Sequence, residues 1–362
     1  MPQAKATNIA QSTPLRAEGK RGAWSHVVCC LLPQLPLVLF GLGIWGRGYW
    51  LLVLPLFLLV VVPLLDLITG WQDDARFERE DFSPVARWLL NWNTRIYALV
   101  YMAAIIYVAT SIRRFNPIEI GSILLASSFL GGLCFAAAHE LLHAKSAIDQ
   151  FLQRIVTTFL FYPHYKVIHI RSHHVHAGTA EDENTAWFNE SIYAYIARTI
   201  PGSAVRSWHL EARRSAGASG AGILRNKMSV FAAGQVATLL VMYLISGPWG
   251  LLFYAAHILG SHLVLESVNY IQHYGLLRKQ EDGEYEKTAA EHSWDTYHFF
   301  SSYIAFRVGH HSYHHLAVKP YYLLNPEPEA PKLPVGYFWA MPMVLLPPWW
   351  RKAINPRVPA AP

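Results

Sequence analysis

The sequence predicts an all-α integral membrane protein, and three observations carry that prediction. Only 15% of the 362 residues are charged, against about 25% in soluble domains. Hydrophobic residues make up 53% of the chain and gather into long runs free of charge. The 18 histidines cluster at the ends of those runs and in the polar stretches between them.

A bilayer core of about 30 Å is crossed by about 20 apolar residues as a helix. Six segments meet that length: Val27–Trp45, Tyr49–Gly70, Ile96–Ile112, Ile120–His143, Met228–Ser246 and Trp249–Ile271. They form three hairpins with short turns at Gly46–Gly48, around Arg113, Arg114 and Pro117, and at Gly247–Pro248. A large soluble core is the alternative, but three consecutive apolar hairpins would leave little polar surface for water. Val335–Trp350 is apolar but short and broken by Pro342, Pro347 and Pro348, so it reads as an interfacial or re-entrant element. The remainder is expected to be one domain over 27–362, preceded by a polar tail at 1–26.

The basic residues sit mostly outside the hairpin turns. They include Arg76, Arg87, Lys145, Arg171, Arg206, Arg213, Arg214, Arg225 and Lys227. The positive-inside rule then places these stretches and both termini in the cytosol. The formal charge of +6 fits that bias and an anionic lipid face. No basic run interleaved with aromatics on a polar segment suggests a nucleic-acid partner. Cys29, Cys30 and Cys134 all lie in apolar runs, which argues against a cysteine zinc site, an iron–sulfur cluster or a disulfide framework.

Four histidine clusters are expected at one membrane face. His139 and His143 close the fourth apolar segment. His169, His173 and His174 lie in the following polar stretch. His273 closes the sixth segment, and His311, His314 and His315 follow. Residues at i and i+4 stand one above the other on a helix. His139 and His143 therefore suit one ion, and His169 and His173 repeat the spacing. His174, rotated by about a quarter turn, points toward a second ion. His311, His314 and His315 share one face with a slight fan.

His139-Glu140-Leu141-Leu142-His143 also matches the HExxH helix of zinc proteases, but that reading leaves the other clusters unused. Imidazole suits zinc, copper, iron and nickel, and zinc cannot change oxidation state. A site of nine histidines suits two irons that activate O₂. Nearby carboxylates should offset their charge and orient the rings. Glu140, Asp182, Glu266 and Asp295, with Asn269, are the candidates for that supporting role.

At these motifs the chain resembles the membrane alkane 1-monooxygenases, within the fatty-acid desaturase and hydroxylase superfamily. The resemblance spans roughly Leu64 to Val358. Its most specific part is Asn269-Tyr270-Ile271-Gln272-His273-Tyr274-Gly275-Leu276, similar to the hydroxylase signature NYxEHYGL. His173-His174-Val175 through Thr179-Ala180-Glu181-Asp182, His292-Ser293-Trp294-Asp295 and Leu333-Pro334-Val335-Gly336-Tyr337 are similar to further family segments. The chain departs from the family at Ile168 and Ser172, where the second box has Glu and Gly. It departs again at His310, Tyr313 and Leu316 in the third box, and at Gln272 in the signature.

The resemblance implies six membrane helices capped by a cytosolic, histidine-rich diiron domain in a bacterial inner membrane. It implies nine iron ligands: His139, His143, His169, His173, His174, His273, His311, His314 and His315. The activity implied is hydroxylation of the terminal methyl of medium- or long-chain n-alkanes, using O₂. Electrons would come from rubredoxin and its NADH-dependent reductase. Trp50, Tyr101 and Phe129 are expected along a substrate tunnel opening to the lipid. A xylene-type hydroxylase and a fatty-acyl desaturase are alternatives with the same metals. A histidine-lined metal transporter is an alternative of another class. It would place ionisable residues at mid-membrane, whereas most candidates here cluster at one face, although Asp66, His257 and His262 lie inside predicted spans.

Overall fold

The computed structural model describes residues 19–71, 76–215 and 226–359. Most of the expected N-terminal tail, Arg225 and the last three residues lie outside that range. The described chain is almost wholly helical. The only sheet among the described residues is a two-stranded hairpin, β1 (Gln280–Glu281) and β2 (Glu284–Tyr285).

Five helical stretches are long and apolar enough to cross a membrane. The first combines α1 (Gly19–Cys29) and α2 (Gln34–Gly46) across a tight turn. The second runs through α3 (Val53–Leu56), a widened π-type turn at Phe57–Val61, and α4 (Val62–Thr69). Next come α5 (Pro84–Ser111) and α6 (Pro117–His143). The α5 helix begins twelve residues before the expected Ile96. Its first three turns are amphipathic, and Ser83 caps them by accepting from Ala86 N at 3.2 Å, with Pro84 in the first turn. Helix α6 starts with a reciprocal cap between Asn116 and Glu119, again followed by proline.

The fifth stretch, α11 (Lys227–His273), has 47 residues and would be about 70 Å long if straight. It is not straight. Gly247 takes φ 66°, ψ −173°, a backbone state open to glycine and costly for other residues. The two limbs fold back on each other. Gln235 Nε2 donates to Phe161 O at 3.1 Å, and His262 Nε2 lies 2.8 Å from the neighbouring Leu160 O. Those two side chains sit 27 residues apart in sequence yet meet adjacent carbonyls, so the α11 limbs form a hairpin at Gly247.

Between and after these lie α7 (Ala147–Phe159), α8 (Tyr165–Ile168), α9 (His174–His176), α10 (Ile192–Ser215), α12 (Phe299–Ile304), α13 (His311–Leu316), α14 (Tyr337–Val344) and α15 (Pro347–Ile354). The apolar stretch at Val335–Trp350 thus resolves into two short helices. Helix α14 is largely buried, through Tyr337, Phe338, Ala340 and Met341, and Trp349 of α15 is exposed.

Helix α6 is the centre of the bundle. Small residues let its neighbours approach closely. A Cβ on Gly131 would collide with Ser261 Oγ, and one on Gly132 would collide with Val264. Asp66, at the end of the second stretch, accepts from the backbone N–H of Phe300 (2.8 Å) and Ser301 (3.2 Å). The carboxylate therefore caps α12 and ties the membrane bundle to the histidine-rich segment.

Candidate metal centre

The last turn of α6 presents His139 and His143, as the i, i+4 spacing required. The next cluster departs from expectation. His169–His173 is a π-type turn, not an α-helix. Such a turn brings residues i and i+5 together in place of i and i+4. His169 Nε2 therefore lies 3.0 Å from His174 Nε2, and His173 is directed elsewhere. The expected chelate of His169 with His173 is thus replaced by His169 with His174. The third box is split as well. On α13, His311 and His315 turn one way and His314 the other.

The result is two groups. His139, His143, His169 and His314 offer nitrogens that all lie within 4.8 Å of one another, and so do His173, His273, His311 and His315. His174 joins the first group, with Nε2 3.0 Å from both His169 Nε2 and His314 Nε2. Within the first group His139 Nε2 is 3.0 Å from His169 Nε2 and 3.1 Å from His314 Nε2, and His169 Nε2 is 3.0 Å from His143 Nε2. In the second, His311 Nε2 is 3.0 Å from His273 Nε2 and 3.1 Å from His315 Nε2.

These contacts are not a hydrogen-bond network. A neutral imidazole has one N–H, yet His169 Nε2 faces three other nitrogens. Their lone pairs converge and would repel one another unless a cation stood between them. The closest edges, 3.0–3.1 Å, leave each group compact enough to hold one metal ion.

Several of these rings are held in the neutral form that metal binding needs. Burial and the neighbouring imidazoles hold His169, His311, His314 and His315 well below the usual histidine range, and His174 is lowered to about 3. The far nitrogens find partners in two places. His173 Nδ1 donates to Asp182 Oδ2 at 3.0 Å, and Asp182 also accepts from Thr185 Oγ1 at 2.9 Å. Burial raises the Asp182 carboxyl, but His173 and these bonds outweigh it and leave it below its ordinary value. His273 Nδ1 donates to the backbone oxygen of His292 at 3.0 Å.

The other supporting candidates take different places. Glu140 Oε1 is 3.6 Å from His139 Nδ1, too long for a hydrogen bond, and its other oxygen accepts from Tyr321 N at 2.8 Å. Asp295 touches no imidazole. It accepts from Ser312 N (2.8 Å), Ser312 Oγ and Tyr297 Oη, so it pins the first turn of α13. Glu266 is fully buried and bonded to Asn269 Nδ2 at 3.2 Å. Sequence reasoning missed the His292 carbonyl, because a backbone acceptor leaves no residue-type signal.

An apolar cavity runs from the histidines into the bundle. His139, His169, His173 and His311 line one end of it, so it meets both groups. Its walls are almost entirely apolar, among them Phe129, Leu133, Val264, Phe338 and Met341. Phe129 lines it. Trp50 does not. It is 59% exposed, at the turn between α2 and α3, where it packs on Gly46. Tyr101 does not line it either, being buried and bonded through Oη to His257 Nε2 at 2.7 Å. His257 and His262 are likewise satisfied within the bundle, by Ser127 Oγ at 3.2 Å and by Leu160 O.

Comparison with known proteins agrees with this architecture. The fatty acid desaturase family profile matches residues 117–325, which contain all nine of these histidines. The alkane 1-monooxygenase of Ectopseudomonas oleovorans is 32% identical over 97% of this chain and 88% of its own length. Alkane 1-monooxygenase 1 of Pseudomonas aeruginosa is also 32% identical, over 86% of this chain and 84% of its own. The xylene/toluene monooxygenase hydroxylase component of Pseudomonas putida is more distant, at 26% over 85% and 82%. A continuous match of this extent, together with paired histidine groups at the end of an apolar cavity, shows that the chain belongs to the alkane 1-monooxygenases of the fatty acid desaturase family.

Proposed function

We propose that this protein hydroxylates the terminal methyl group of medium- or long-chain n-alkanes, with O₂ as oxidant. The observation that carries the reading is the apolar cavity walled at one end by histidines of both groups. A saturated chain offers no charge or hydrogen-bonding group, so it can be held only by shape and by exclusion of water. The relatives' names point to the same chemistry.

The nine histidines would hold two iron ions. His139, His143, His169, His174 and His314 would take one, and His173, His273, His311 and His315 the other. When bound, the iron pair would supply the activation of O₂ that lets oxygen insert into an unactivated C–H bond. The chain's own residues do the rest. The cavity wall aims one chain end at the histidines and keeps water from the reacting carbon. Asp182 and the His292 carbonyl fix the orientation of His173 and His273. Asp295 holds α13 so that its three histidines keep their split arrangement.

Two electrons are needed per turnover. The chain has three cysteines, all in apolar helices or the turn between them, so a separate carrier of the rubredoxin class is the donor in this reading. The hairpin at Gly247 supports six bilayer crossings, with the histidine-rich segments and both termini on the cytosolic side of a bacterial inner membrane. Purified protein in nanodiscs, given iron, a rubredoxin reducing system and n-alkane, should yield the 1-alkanol. Preferential oxidation of p-xylene, or alkene formed from a fatty-acyl substrate, would overturn the assignment.

A further inference from the structure

We infer that Phe129, Gly132 and Val264 form a fixed floor to the cavity and so set the longest hydrocarbon that reaches the histidines terminal end first. This rests on the alkane reading above. The helices α6 and α11 part around the cavity and close below it. On α6, lining residues extend from His139 back to Gly132 and Phe129. Phe129 is ten residues, or about 15 Å of helix, before His139. On the facing limb of α11 the deepest lining residue is Val264.

The closure is built from small residues. A Cβ on Gly132 would strike the Val264 side chain, so that side chain already rests on the α6 backbone. Next to it, a Cβ on Gly131 would strike Ser261, and a Cβ on Gly260 would strike Ser128. The two helices are in close contact at these positions. Beneath lies a buried polar cluster, in which His257 links Tyr101 Oη (2.7 Å) and Ser127 Oγ (3.2 Å), with Ser261 donating to the His257 backbone oxygen at 2.8 Å. All four side chains are fully buried. Pushing an alkane through would strand these groups without partners, which is strongly unfavourable in an apolar bundle. The floor is therefore both sterically shut and chemically hostile to hydrocarbon. Phe129 is the element of it that removal would open, because its ring faces the cavity.

Each methylene that gains or loses a buried place changes affinity about fourfold. Phe129→Ala should therefore shift the optimum of kcat/KM to longer n-alkanes, by about fourfold per added methylene across the chains newly admitted. Val264→Phe should fill the floor and shift it to shorter ones. A second readout avoids turnover altogether, namely the rise in melting temperature of iron-free protein in detergent across a homologous n-alkane series. Its optimum should move in the same directions. If the unsubstituted protein has an optimum that Phe129→Ala leaves in place by both measures, the floor assignment is wrong. If Val264→Phe fails to fold, Phe129→Ala decides alone. If the unsubstituted protein neither oxidises nor is stabilised by any n-alkane, it is the functional reading that fails, not the floor.

Discussion

Removing the carboxylate of Asp182 should cost the protein metal affinity without dismantling the bundle. Asp182 is fully buried and accepts from two donors, His173 Nδ1 at 3.0 Å and Thr185 Oγ1 at 2.9 Å. In Asp182→Asn the amide oxygen can keep the His173 bond, but the negative charge and one acceptor position are lost. In Asp182→Ala both donors are stranded, at about 1–3 kcal/mol each. Partners of metal-bound imidazoles are typically worth 10- to 100-fold in metal affinity, or about 1.4–2.8 kcal/mol. Iron affinity should thus fall about tenfold in Asp182→Asn and nearer a hundredfold in Asp182→Ala. The assay is iron retained per chain against a graded chelator, with circular dichroism to verify helix content. The loss should begin with one iron of the two, since only His173 contacts this carboxylate. If both variants hold iron as tightly as the parent, the His173–Asp182 bond does not support a ligand and the reasoning fails.

Metal analysis of active protein should give about two irons per chain, and active protein holding only zinc would contradict the proposed centre. His273→Ala should abolish turnover while leaving membrane insertion intact, whereas exposed His209→Ala should stay active. Asp295→Ala strands Ser312 N–H and Ser312 O–H. It should lower the melting temperature and loosen both irons, because α13 supplies ligands to each. For pH, the neutral imidazoles set the sign. Their folded values lie below the unfolded 6.5, so the unfolded chain binds the extra protons and stability falls as pH drops through 6.5. Each such ring contributes up to about 1.4 kcal/mol per pH unit, and melting of iron-free protein followed from about pH 7 to pH 5 should show the decline. Arg171 and Arg214 both pair with buried Glu211, which leaves exposed Arg213 and Lys287 as the better test of carrier docking. Reversing both to Glu should raise the KM for rubredoxin and weaken its salt dependence, and an unchanged KM would exclude docking at that face.

Hydrophobic length and histidine spacing were enough to locate the membrane helices and all nine clustered histidines. Chain-length arithmetic works because a bilayer demands about 20 apolar residues, whatever the tertiary structure. The hairpin turn at Gly247–Pro248 was visible for the same reason, since both residues disfavour a continuous helix. The amphipathic start of α5 was not visible, because its polar face breaks the run that hydropathy detects. Trp50 and Tyr101 were placed on the tunnel by residue type, and type says nothing of direction. One faces outward and the other is locked to His257.

What the linear order could not decide is which histidine goes with which. Spacing alone pairs His169 with His173, as an α-helix would. The π-type turn adds a residue to that loop and hands His174 to the first group and His173 to the second. That division is made where α6, α13 and the end of α11 bring their histidines together. The supporting acceptors obey the same logic. Asp182 could be guessed from its charge, but the His292 carbonyl could not, because a peptide oxygen becomes a partner only when the fold delivers it to the ring.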